Sequence, residues 1–250
     1  MDPDAPATEG DATEGGAPPL RRWGLGDVVL GLVVGLLLSA VMASVWLGVS
    51  GDDTLSIGGK AFSQIGLWTG LVGSVVLATR RKGSGSLRTD FGWDARWVDL
   101  LLGAAVAVAA VVAIVPAVSI LLGPLLGHPE VSGPVKDLVA EAKGPAIVGL
   151  ALVAVVGAPL VEELFFRGLL LRSIEKRIGT GWAIAGSSLF FGLAHPNDLP
   201  LNGQLMVMAA LAALAVALAL LAVRTGRLGP GIVAHAVFNA INLAVVLLAR

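Results

Sequence analysis

The chain has 250 residues, of which 56% are hydrophobic and only 14% charged, against roughly 25% charged in a typical soluble domain. With a mean hydropathy of +0.85, this excludes a water-soluble fold, and the 5% aromatic content without any Tyr excludes a transmembrane barrel with its aromatic girdles. The formal net charge of -1 gives no concentrated positive charge for nucleic acid, and the absence of Cys removes disulfides, thiolate ligands and a Cys nucleophile.

Residues 1–20 hold five acids and no base among Pro, Gly, Ala and Thr, too little apolar surface to offset the entropy of ordering, and are expected to be a disordered tail. The tail is too acidic to open a cleavable signal peptide, so the first apolar block is expected to be retained. Uncharged blocks follow at 28–49, 61–79, 100–126, 145–161 (continuing as helix past Glu162), 181–196, 204–223 and 229–249. Each approaches the length of about 20 residues that crosses a bilayer core as a helix. The expectation is an all-α polytopic transmembrane helix bundle of about seven spans around a polar intramembrane cavity. The third block, with Pro116 and Pro124, makes eight if it divides. Residues 133–143 alternate apolar and charged side chains as an interfacial amphipathic helix does. The expected organisation is a cytoplasmic tail at 1–22, N-terminal membrane spans at 23–132 and a C-terminal membrane core at 133–250.

Lys and Arg cluster before the first block (Arg21, Arg22), between the second and third (Arg80, Arg81, Lys82, Arg88, Arg96), after the fourth (Arg172, Lys176, Arg177) and between the sixth and seventh (Arg224, Arg227). With seven spans all four clusters fall on one side, which the positive-inside rule makes cytoplasmic. The expected location is therefore integral and multi-pass, in the plasma membrane for a bacterial protein, with the N-terminus cytoplasmic.

Ionisable groups inside spans are costly and mark function. Here they are Glu162, Glu163 and Arg167 in Val-Glu-Glu-Leu-Phe-Phe-Arg-Gly, His195 at the end of the fifth block, and His235 with Asn239 in the seventh. Glu163 and Arg167 are spaced i,i+4 in the favourable order for an ion pair, which leaves Glu162, about 100° around the helix, free to act as a base. His235 and Asn239 share one stripe, suited to holding an oxyanion. Each residue also has a purely structural reading: a buried ion pair that locks helices, a structural histidine, an inter-helix carboxamide bond. Their joint occurrence favours chemistry. No His precedes Glu, so a zincin helix is absent. Gly24-x-Gly26-Asp27 spells an aspartyl-protease motif but sits at a helix start, and Ser187 and Ser188 lack the Gly-x-Ser-Gly context of a rhomboid protease.

The three pieces, Glu162-Glu163-x-x-x-Arg167, Phe191-x-x-x-His195 and His235-x-x-x-Asn239, resemble the three motifs of the CPBP (CAAX protease and bacteriocin-processing, or Abi) family, over roughly residues 145–245. The resemblance implies an intramembrane endopeptidase acting on a membrane-embedded or lipidated peptide within the lipid bilayer. Glu162 and His195 would activate water, His235 and Asn239 would stabilise the tetrahedral intermediate, and Glu163 and Arg167 would support them. No cofactor is required on this reading. The alternative is a divalent metal such as zinc on Glu162, His195 and His235. Rival functions are a non-catalytic scaffold or bacteriocin-immunity protein of the same fold, and a proton-coupled transporter, for which matched half-repeats are not visible. One geometric obstacle stands. Glu162 and His235 lie about 9 Å above the expected cytoplasmic helix ends and His195 about 21 Å from its own. They meet only if residues 173–186 form a cytoplasmic helix and turn around Gly179 and Gly181, or if a water-filled cavity reaches inward.

Overall fold

The computed structural model describes residues 22–249, so the expected tail, Arg21 and Arg250 lie outside the described residues. The described elements are helical: α1 (Leu25–Ser50), α2 (Ile57–Lys82), the short α3 (Leu87–Phe91), α4 (Trp97–Leu126), α5 (Gly133–Glu141), α6 (Pro145–Ile178), α7 (Thr180–Leu193), α8 (Leu201–Thr225) and α9 (Gly229–Leu248). Six of them, α1, α2, α4, α6, α8 and α9, are long and apolar enough to cross a membrane. The seventh expected span is not: α7 has 14 residues, about 21 Å of helix against a hydrocarbon core of roughly 30 Å. An irregular segment, 194–200, follows it.

The third block does not divide. α4 runs through both prolines, because a turn of wider π-type hydrogen bonding at Ala110–Ile114 precedes Pro116, whose missing N–H would otherwise leave the carbonyl one turn earlier unpaired. The expected amphipathic helix is α5, linked to α2 by a 2.8 Å ion pair between Lys60 and Glu141. α6 also runs on through Gly168. Gly168 is buried in α6, where an added Cβ would lie 3.2 Å from the Phe91 Cβ, so the small residue there serves packing.

The described residues of the four Lys/Arg clusters lie at one end of the bundle, tied together by local bonds. Arg22 donates its backbone N–H to Lys82 (2.7 Å), Lys82 pairs with Asp27 (2.7 Å), Lys176 stands 3.2 Å over the Trp23 ring, and Arg227 pairs with Asp99. This pairing holds the Arg227 guanidinium, which lies in the loop between α8 and α9, above its usual pKa. Asp27 accepts the Gly24 N–H at 3.0 Å, which identifies the Gly-x-Gly-Asp spelling as a helix cap.

α6 is the centre of the bundle. Its segment Glu163–Leu170, also in wide π-type turns, is buried throughout, and Phe165, Phe166 and Leu169 pack with residues from α1, α2 and α7 such as Val28, Val75 and Phe191. α1 and α2 approach closely along small residues, as membrane helices do: a Cβ on Gly70 would fall 2.2 Å from the Gly35 nitrogen. Gly70→Leu is therefore expected to lower the melting temperature in detergent by the equivalent of about 1–3 kcal/mol of overpacking. Gly73→Leu, where an added Cβ meets nothing within 4 Å, should leave it unchanged. Equal effects of the two would show that the close approach is not what holds the pair together.

Candidate active site

The length of α6 decides which side chains can meet. Because the helix continues to Ile178, Glu162 lies about 24 Å from that end and His195 about 22 Å from the start of α7 at 1.5 Å per residue. The two helices are joined at Gly179, whose φ of 85° is a conformation glycine adopts without strain. The antiparallel return brings Glu162 and His195 to one depth, and the geometric obstacle disappears. The turn is at Gly179 as anticipated, but residues before it belong to α6 rather than to a separate cytoplasmic helix.

The expected ion pair forms. Arg167 Nη1 lies 2.9 Å from Glu163 Oε1, both side chains almost wholly buried; Arg167 also donates to the Ala215 carbonyl at 3.4 Å and stacks 4.4 Å over the Phe191 ring. His235 places Nδ1 at 3.1 Å from the same Glu163 oxygen. Glu162 points elsewhere, its Oε2 at 3.6 Å from His195 Nε2 and 3.9 Å from His235 Nε2. That oxygen is buried and has no hydrogen-bond partner.

The partners assign the tautomers. His195 Nδ1 faces the Phe191 carbonyl at 2.7 Å and His235 Nδ1 faces a carboxylate. Both partners only accept, so each neutral ring carries its proton on Nδ1 and turns an accepting Nε2 toward Glu162. Three acceptors thus converge at separations too long for direct hydrogen bonds and suited to one bridging water, which donates two protons and keeps its oxygen lone pairs. Phe191, 4.5 Å from the His195 ring and 5.7 Å from the His235 ring, packs against both.

Asn239 stands elsewhere. Its Nδ2 donates to the Ala154 carbonyl at 2.8 Å, within the wide turns at Leu152–Gly157. The residue five positions on is Pro159, which has no N–H, and the Ala158 N–H goes to Val153. Asn239 therefore satisfies a carbonyl that the helix has orphaned.

Two imidazole Nε2 atoms and a carboxylate are zinc-type donors, and each Nδ1 has the outer partner that zinc-bound histidines usually have. Among the described residues no group of three or more His, Asp or Glu side chains is drawn together as a metal site.

Glu162 and His195 open onto a cavity of about 480 Å³ whose other walls include Leu36, Gln64, Trp68 and Phe190. It is mostly apolar rather than polar, its polar side chains being Glu162 of α6, His195 just after α7 and Gln64 of α2. Gln64 and Trp68, spaced i,i+4 on α2, were not among the sequence candidates. The signal was a carboxamide inside an apolar block, overlooked because it carries no charge.

Glu163→Gln is expected to cost about 3–5 kcal/mol by leaving Arg167 buried without its counter-ion, read as a lost melting transition or poor yield. Glu163→Gln combined with Arg167→Met should recover most of it. If the double variant is no more stable than the single, the pair is not what the core depends on.

Residues 144–241 match the family model described as Type II CAAX prenyl endopeptidase Rce1-like. No curated protein and no solved structure matches the chain. The matched segment runs from the start of α6 to the middle of α9 and contains all three motifs, so over these residues the chain is similar to the Rce1-like family within the CPBP group.

Proposed function

We propose that the protein hydrolyses a peptide bond of a membrane-associated substrate, with prenylated CAAX-like peptides as the first class to test. The family supports protease activity of the CAAX type. The observation that carries the reading is the unpartnered Glu162 oxygen facing two accepting imidazole nitrogens. A water between them gives one proton to Glu162 while hydrogen-bonded to His195, and its oxygen attacks the carbonyl carbon. His235, once it has taken up a proton from solvent on Nε2 and become an imidazolium held by Glu163, donates that N–H to the oxyanion and keeps the proton through the cycle. Collapse of the intermediate breaks the C–N bond, and the proton on Glu162 passes to the leaving amine. Asn239, committed to Ala154, positions α9 so that His235 reaches the site.

On this reading no metal takes part, and a chelator should leave cleavage of a farnesylated peptide by the purified protein unchanged; loss restored by zinc would contradict it. Glu162→Gln should lower cleavage by about 10²–10⁴-fold, the usual range for a general base, with the melting temperature retained. Full activity in that variant would remove Glu162 from the mechanism, and a folded wild type that binds but never cuts would favour a scaffold.

We place the end carrying the Lys/Arg clusters, and with it the N-terminus, in the cytoplasm. Because the chain has no Cys, single-cysteine labelling tests this cleanly. In intact cells an impermeant maleimide should reach Asp53→Cys but not Arg81→Cys, and the reverse pattern would invert the topology.

A further inference from the structure

Gln64 stands where two cavities meet. On one side it lines the cavity of Glu162 and His195. On the other it lines a second cavity of about 370 Å³, between α2, α5 and α6, whose walls include Ala61, Leu138, Gly149, Leu150 and Val153. Apart from Gln64 and Lys60, the side chains around this chamber are apolar. Lys60 is held by Glu141 of α5 at 2.8 Å, which ties the amphipathic helix to α2 beside it.

We infer that the second chamber is a specificity pocket that takes an apolar side chain of the substrate next to the cleaved bond, and that Gln64 at the neck hydrogen-bonds the substrate backbone. The inference rests on the peptidase reading above. Three features carry it. The chamber shares a wall residue with the catalytic cavity, so a chain lying across Glu162 can send a neighbouring side chain into it. The neck residue is a carboxamide, which donates and accepts at once and so matches both the N–H and the C=O of an extended peptide. Such a group within a span needs a polar partner. Finally, small residues keep the chamber open: a Cβ added at Gly149 would meet nothing within 4 Å. Gln64 lies outside residues 144–241, so the family-matched core would supply the chemistry while the N-terminal helices help to select the substrate.

The test uses the full-length protein in detergent and two internally quenched peptides that differ only in the residue after a farnesyl-cysteine, isoleucine in one and alanine in the other. Gly149→Phe fills the chamber from a wall position with room for it; Gly149→Leu does so more gently if the larger variant fails to fold. Filling is expected to raise KM at least tenfold for the isoleucine peptide and less than twofold for the alanine peptide. Gln64→Leu should raise KM about tenfold for both peptides with kcat nearly unchanged, and Gln64→Asn should recover part of the loss. If wild type cuts both peptides and Gly149→Phe slows them equally or not at all, the chamber holds lipid or nothing and the inference is overturned. Unchanged KM in Gln64→Leu overturns the neck contact. If wild type cuts neither peptide, the peptidase reading itself falls and takes this inference with it.

Discussion

The buried ion pair between Glu163 and Arg167 is the interaction on which the rest of the site depends. Two charges enclosed in a membrane bundle are tolerable only when each neutralises the other and their remaining hydrogen-bonding capacity is used. Arg167 is held by Glu163, the Ala215 carbonyl and the Phe191 face. Glu163 then has one oxygen facing His235, fixing that ring on α9 against α6. The adjacent carboxylate, one residue earlier and turned away, is left to face Nε2 of both histidines. Two consecutive glutamates thus differ in role because helix geometry gives only one of them the arginine.

A second constraint is length. A helix of 34 residues is about 51 Å long, well beyond the thickness of roughly 30 Å of a hydrocarbon core, and its last turns are polar. Starting from that end, a short helix is enough to bring His195 to the level of Glu162. The following irregular segment is of the kind that membranes accept only where it is buried in protein or lines a cavity, and Ala194, His195 and Pro196 do line the cavity onto which Glu162 opens. The wide turns in α4 and α6 follow the same economy: where Pro116 or Pro159 removes a donor, the helix relaxes its hydrogen bonding, and at Ala154 a side chain from α9 supplies what is missing.

Much of this was legible in the residues. The ion pair followed from i,i+4 spacing, the shared end of the Lys/Arg clusters from their alternation with apolar blocks, and the order of the three motifs from their positions. What could not be read was whatever depends on another helix. Gly168 resembles a stop signal until Phe91 is seen against it. Asn239 looks like a free carboxamide donor until the carbonyl orphaned by Pro159 is found beside it. The fifth block looked like a span because its apolar residues run to His195, yet its true start was set by how far α6 extends. Gln64 belongs to a helix outside the matched family core, and only the fold places it across the cavity from Glu162.

The central claim is that Glu162 and His195, from different helices, act on one water in one site. The most direct measurement is a double-mutant cycle on kcat/KM for cleavage of a farnesylated peptide, comparing Glu162→Gln, His195→Gln and the double variant at equal folded fraction. Residues that act as a unit are strongly non-additive, so the account predicts a double variant hardly slower than the worse single one. A double variant whose loss equals the product of the two single losses would mean that the two side chains act independently, contrary to the shared site described above.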